Sequence, residues 1–405
     1  AVLAVPIAAR LGLGSVLGYL LAGVALGPWV TGLVGTESQA VQHFAELGVV
    51  MMLFLVGLEL DPQRLWRLRV PVFGLGGLQV LGTAAVVAPV GLLLGLPWQQ
   101  AVATGLILAM SSTAIALQSL SERGLLGSHA GQTTFAILLL QDVAVIPLLA
   151  LFPLLATLPA AHATDDHGAS LIAHLPAWTQ AVATLGAILA VIALGRLVVS
   201  PLMRAVAHTG LRELFLAASL LIVLAVAALM SSVGLSAALG AFIAGVVLAN
   251  SEYRHELVSD LEPFKGLLLG IFFMAVGAGI DLGLIADAPL TLIGLALGIL
   301  ALKVAVLLGV ARVGGLGAEQ TSLLAVALAQ VGEFAFVLLG FAADNGILPP
   351  DATRPLVAAT ALSMAATPFL LLLHFRVLAP RLTAATPTRA AAVQDEGHPV
   401  LIAGY

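Results

Sequence analysis

Asp142 stands beside Gln141 inside an apolar run that begins near Phe135 and continues past Leu155. A charged side chain at the centre of a bilayer costs roughly 2.5–3.5 kcal/mol on insertion scales, so such a residue marks a site. No basic residue lies within a helical turn of it, so no local ion pair accounts for its presence. Its chemistry is that of an oxygen ligand that holds a proton or a cation but not both. Other apolar segments are interrupted in a similar way. Ser111, Ser112 and Thr113 break one, Gln330-Val331-Gly332-Glu333 breaks another, and Lys303 lies inside a third. Hydroxyls, an amide and unwound carbonyls are the oxygens a dehydrated monovalent cation needs, which makes Ser111, Ser112, Thr113 and Gln141 candidate partners of Asp142. Plainer roles stand beside these. Membrane Ser and Thr bond carbonyls one turn back, Gln330 can join two helices, and Lys303 and Glu333 can pair with each other or neutralise helix dipoles.

The elements that position these residues follow from composition. With 60% hydrophobic and 9% charged residues, against the roughly 25% charged residues of a soluble domain, the chain reads as an all-α polytopic membrane protein. A net charge of -5 argues against nucleic acid, and the absence of cysteine excludes disulfides and thiolate metal sites. Apolar windows give spans near 14–28, 41–60, 70–95, 99–119, 129–157, 176–200, 212–233, 234–250, 264–282, 288–313, 319–345 and 353–375. With a clipped remnant at 1–9 the count is about thirteen helices, and no signal peptide is visible. If Arg10 is cytoplasmic, the same side collects Arg64, Arg67, Arg69, Arg123, Arg196, Arg204, Arg212, Arg254, Lys265, Arg312, Arg376, Arg381 and Arg389, while Arg354 falls outside. The C-terminus is then cytoplasmic.

The sequence also repeats. Gly12–Gly27 reads GLGSVLGYLLAGVALG and Gly234–Ala249 reads GLSAALGAFIAGVVLA, and the helices that follow end alike at Gly57-Leu-Glu-Leu-Asp61 and Gly277-Ala-Gly-Ile-Asp281. The second helix pairs with the ninth and the third with the tenth, an odd offset that gives the two copies opposite topology. Inverted repeats of this kind build secondary transporters, with the site at interrupted helices near the midplane. The fifth and twelfth helices should therefore correspond. Their polar clusters each lie about a dozen residues from a helix end, roughly 20 Å deep at 1.5 Å per residue.

Together, Gln141-Asp142, the SSTAIA stretch Ser111–Ala116, the segment HELVSDLEPFK at His255–Lys265 and QVGEFAF at Gln330–Phe336 resemble the Kef potassium/proton antiporters of the cation:proton antiporter-2 family. The resemblance spans essentially the whole chain. It implies a sodium/proton-antiporter-like fold of thirteen helices, divided into a dimerisation part and a six-helix core, with crossed, discontinuous fifth and twelfth helices. It implies a homodimer in the bacterial inner membrane that exchanges potassium for protons, with potassium at Asp142. It also implies glutathione control through a nucleotide-binding domain, with an ancillary oxidoreductase subunit as a further partner. On this reading residues 1–382 form the transport domain, 383–397 a linker, and 398–405 the first strand of a Rossmann-like domain whose nucleotide and glutathione sites lie beyond the chain. His255, Glu256, Asp260 and Glu262 would form a cytoplasmic acidic loop that restrains transport by docking on that domain.

One carboxylate beside a neutral Gln141 suggests one proton per cation and electroneutral exchange. A gated potassium channel is the nearest rival, although no TVGYG-like filter segment occurs, and sodium cannot be separated from potassium by residue type. No enzyme chemistry is expected. Asp281 is poorly placed to join Asp142 as an aspartyl-protease pair, and no HExxH motif is present. Asp165, Asp166 and His167 read as a solvated external loop or a weak divalent-metal site.

Overall fold

Inside a bilayer no water satisfies backbone N–H and C=O groups, so a chain this apolar bonds them within helices. The computed structural model describes residues 1–10, 14–33, 39–59, 66–121, 123–158, isolated positions between 186 and 199, 200–232, 237–249, 251–252 and 254–384. Every regular element among these is helical. The order is α1 (Ala4–Arg10), α2 (Gly14–Leu26), α3 (Gln39–Glu59), α4 (Gly77–Leu93), α5 (Trp98–Ala109), α6 (Thr113–Ser121) and α7 (His129–Leu151). It continues with α8 (Arg212–Ser232), α9 (Ala237–Leu248), α10 (Arg254–Ala278), α11 (Pro289–Val313), α12 (Ala318–Leu328), α13 (Phe334–Asp344) and α14 (Pro350–Leu373). A π-helical turn, Val72–Gly76, leads into α4, and a 3-10 turn, Phe152–Leu155, extends α7.

Among the described residues six helical segments are long and apolar enough to cross a membrane: Arg69–Leu93, Trp98–Ser121, His129–Leu155, Glu213–Ser232, Pro289–Val313 and Pro350–Leu382. The pair Arg254–Leu261 and Gly266–Ala278, bent by 48°, makes a seventh, and Ser15–Leu26, Leu47–Leu58, Leu239–Leu248 and Phe334–Asp344 are shorter apolar helices. The span expected at 176–200, the segment His162–His167 and residues 385–405 of the expected linker and strand lie largely or wholly outside the described residues.

One expectation is corrected. The acidic stretch carrying His255, Glu256, Asp260 and Glu262 is not a loop but the opening turns of α10. Glu256 lies in the first turn, where a carboxylate favours the positive helix end, and Pro263 is accommodated within the helix, so its ring bends the chain rather than ending it.

Small residues let the outer helices meet backbone to backbone. A Cβ on Gly277 would lie 2.2 Å from the Leu20 carbonyl, and one on Gly23 would lie 2.1 Å from the Met274 carbonyl, so α2 and α10 fit only with glycine at both places. The same device joins α3 to α9, where a Cβ on Gly57 would lie 2.5 Å from the Phe242 carbonyl and one on Gly245 2.1 Å from that of Phe54. These contacts are related by the sequence repeat, because Gly23 matches Gly245 and Gly57 matches Gly277. Each copy therefore contributes one helix to each pair, as a two-fold relation between inverted halves requires. A second body of contacts joins α4 to α5, α11 to α12, α11 to α14 and α12 to α7, and it encloses the polar residues.

Candidate functional site: two broken helices around Asp142

α5 ends at Ala109 and α6 starts at Thr113, leaving 110–112 outside both helices, with Met110 extended at φ -65° and ψ 139°. α12 ends at Leu328 and α13 starts at Phe334, so 329–333 are unwound. Each break leaves carbonyls at one half-helix end and amides at the other without helical partners. In a dry interior such groups need replacements. The breaks supply part of this to each other: Gly332 N donates to Met110 O at 3.1 Å, Ser112 N donates to Gln330 Oε1 at 3.0 Å, and Gln330 Nε2 donates to Ser112 O at 3.3 Å. Position 332 has to be glycine, since a Cβ there would sit 2.3 Å from the Ser111 carbonyl carbon and 2.5 Å from Ser112 N.

Lys303, on α11, is fully buried. Its ammonium donates to Met110 O at 2.8 Å, Gln330 O at 2.8 Å, Ser111 Oγ at 3.0 Å and Ala109 O at 3.3 Å. It thus faces the carbonyl ends of both α5 and α12, where the helix dipoles concentrate negative charge. Ser111 Oγ donates onward to Leu328 O at 2.9 Å, tying the two ends together. Sequence left Lys303 open between an acidic partner and a dipole cap, and its hydrogen-bond partners are carbonyl and hydroxyl oxygens.

Gln141 and Asp142 are neighbours in α7 with separate surroundings. Gln141 is buried; its Oε1 accepts from Ser111 N at 2.7 Å, and its Nε2 donates to Gln79 Oε1 at 2.6 Å and Ala109 O at 3.2 Å. Its amide oxygen is engaged by the first break. Asp142 is only partly buried, and Thr113 Oγ1 donates to it, 3.1 Å from Oδ1 and 3.3 Å from Oδ2. Thr113 opens α6, whose amide end Ser112 caps by accepting from Ile115 N at 3.2 Å. The carboxylate therefore sits at a positive half-helix end, and Glu333, buried at the N-cap position of α13, stands in the corresponding place in the other copy.

The structure thus gathers Ser111, Ser112, Thr113, Gln141, Asp142, Lys303 and Gln330 around the breaks, with Glu333 at the edge of the second. The acidic residues at the start of α10 belong to a different element. Sequence reading missed Gln79, which donates to Ala109 O at 3.0 Å and to Thr83 Oγ1 at 3.2 Å, and it missed Ser363, whose Oγ accepts from Val331 N at 3.1 Å. Each is a polar residue in an apolar span, and that was the signal available. Among the described residues no group of three His, Cys, Asp or Glu side chains is placed to hold a metal.

Comparison with known proteins settles the family. The sodium/hydrogen exchanger transmembrane domain matches residues 1–373. The chain belongs to the sodium/hydrogen exchanger family. Within it, the chain is 50% identical over 406 residues to the glutathione-regulated potassium-efflux system protein KefC of Salmonella schwarzengrund, and equally to that of Salmonella typhi. These alignments cover all of the chain but 63% of each relative, so the chain spans less than two thirds of their length. The fold matches the sodium proton antiporter MjNhaP1 of Methanocaldococcus jannaschii at pH 8, with TM-score 0.64 and 16% identity over 94% of this chain and 95% of that one. An electron-microscopy structure of the same antiporter gives 0.59, with 18% identity over 94% of each chain. The exchanger fold is thus retained where little sequence identity remains.

Proposed function

We propose that the chain is a potassium/proton antiporter whose Asp142 carboxylate binds either ion by alternating access. The observation that carries this is the partly accessible Asp142 accepting from Thr113 at a half-helix end, beside breaks in which Ser111 N, Ser112 N, Val331 N and the Gln330 side chain are engaged. A cation would take the carboxylate, the Thr113 hydroxyl oxygen and nearby unwound carbonyls as ligands. A proton on Asp142 removes the anionic ligand and releases the cation, and cation binding displaces the proton in turn. Potassium is favoured over sodium because the relatives that are 50% identical are named potassium-efflux proteins.

The charges fit one-for-one exchange. Asp142 and Glu333 as carboxylates and Lys303 as an ammonium leave the site one negative charge, which a single monovalent cation or a single proton neutralises. Both loaded forms then carry no net charge through the low-dielectric midplane, where an uncompensated ion is costly. Further elements of the proposal are a homodimer in the bacterial inner membrane and glutathione control through a nucleotide-binding domain with an ancillary oxidoreductase. The acidic turns of α10 with His255, Glu256, Asp260 and Glu262 would be the surface on which that control acts.

The test is potassium-driven proton flux in proteoliposomes. Asp142→Asn keeps the size and the acceptor for Thr113 but cannot ionise, so flux falls to background while the protein elutes and melts like wild type. Wild-type rates in a folded Asp142→Asn protein would remove Asp142 from the mechanism. Potassium currents resolved as single-channel openings would favour a gated channel instead.

A further inference from the structure

The two breaks are braced in the same way from the helix that follows each of them. In the first copy Gln141 Oε1, on α7, accepts from Ser111 N at 2.7 Å. In the second, Ser363 Oγ, on α14, accepts from Val331 N at 3.1 Å. Both side chains are buried, as are Ser111 and Val331, so each amide is shielded from bulk solvent and depends on that acceptor. Ser363 Oγ in turn donates to Thr360 O at 2.8 Å, which fixes the hydroxyl rotor so that a lone pair faces Val331. From Val331 the path to the cation site is short. The preceding carbonyl, Gln330 O, accepts from Lys303 at 2.8 Å; Gln330 Oε1 accepts from Ser112 N at 3.0 Å; and Thr113, next in the chain, donates to Asp142 at 3.1 Å. The copies differ one residue further on, where the first has Asp142 and the second has the buried, apolar Met364. The second brace therefore brings no carboxylate of its own and acts through the backbone it holds.

We propose that Ser363 is a positioning residue that sets the potassium affinity of the Asp142 site by holding the 329–333 break against the 110–112 break. This rests on the antiport reading for its transport consequences. Without the hydroxyl, Val331 N loses its acceptor, the Gln330 amide loses its fixed approach to Ser112, and Thr113 is no longer held at one distance from Asp142. The loss appears in binding rather than in turnover, because Ser363 touches neither ion.

The experiment measures potassium dependence of proton flux together with hydrogen–deuterium exchange of the peptide containing Val331, for wild type, Ser363→Ala, Ser363→Thr and Ser363→Cys. Ser363→Ala is expected to raise the half-saturating potassium concentration about tenfold with maximal rate within about twofold, and to speed exchange of the Val331 peptide by a similar factor. Ser363→Thr keeps the hydroxyl and restores both. Ser363→Cys, a poorer acceptor of similar shape, lies between and carries the test if the alanine variant does not fold. Unchanged potassium dependence in folded Ser363→Ala or Ser363→Cys, or a fall in maximal rate alone, overturns the proposal. Faster Val331 exchange in a protein whose wild type shows no potassium-driven proton flux would overturn the antiport reading and keep Ser363 as the brace of the break.

Discussion

Asp142 and Gln141 divide two tasks, as adjacent residues that point to different faces of one helix can. The carboxylate receives a hydroxyl from Thr113 and keeps partial access, whereas the amide next to it is consumed by Ser111 N, Gln79 and Ala109 O. The two positions should therefore fail differently. Gln141→Ala orphans the buried Ser111 N–H, a loss of about 1–3 kcal/mol, so it should lower the melting temperature in detergent. Asp142→Asn should leave the melting temperature within a degree or two and abolish exchange. Equal destabilisation by both substitutions would refute this division. The single carboxylate also fixes the direction of the pH effect. If protons and potassium compete for it, as the proposed antiport requires, lowering the pH should raise the half-saturating potassium concentration, approaching tenfold per pH unit, with no change in maximal rate at saturating potassium. A half-saturation that does not move with pH would show that the two ions bind at separate groups.

The broken helices succeed as elements only because several parts meet their exposed ends at once. Lys303 serves the carbonyl ends of α5 and α12 together, and Gly332 lets the second break lie on Ser111. Lys303→Met should cost more than an ordinary core substitution, because it removes the donor to the buried Gln330 carbonyl, at about 1–3 kcal/mol, and one of the donors to each of the Met110 and Ala109 carbonyls; thermal unfolding in detergent measures it. Gly332→Ala cannot relieve its clash by moving a flexible tip, since the nearest atoms are backbone, so it should separate the breaks and abolish transport even where folded protein is recovered. Wild-type flux in that variant would show that the contact is dispensable. Much of this arrangement was legible in sequence. Ser111–Thr113 and Gln330–Glu333 announce breaks by placing polar residues where a helix through lipid wants none. The braces Gln79 and Ser363 were not read, because a lone polar residue in an apolar span looks the same whether it bonds its own helix or a neighbour's break. The start of α10 misled for a different reason. HELVSDLEPFK has the polarity of a connector, and a proline that usually ends a helix, yet its Glu and Leu residues favour helix and the chain bends at Pro263 instead of stopping.

At the scale of the whole molecule the glycine contacts and the charge balance bear on one cycle. α2 with α10 and α3 with α9 are locked backbone to backbone by Gly23, Gly277, Gly57 and Gly245, so those helices form a body with no room to slide internally. The breaks belong to the other helices, which are tied to one another by Lys303, Gln141 and Ser363. In the proposed cycle, these two sets of helices would exchange access to Asp142 by moving against each other with little repacking inside either. Under the proposed antiport, what crosses the membrane in each direction is a site neutral in both loaded forms, so a complete cycle would move one potassium one way and one proton the other with no net charge. On a solid-supported membrane, a potassium step should therefore give at most a brief displacement signal and no sustained current, while a pH dye in the same proteoliposomes reports continuing proton flux that a membrane potential of either sign leaves unchanged. A sustained potassium-driven current would mean that Glu333 or Lys303 changes its proton within the cycle, and the one-carboxylate account of this exchanger would then have to give way to one with two titrating groups.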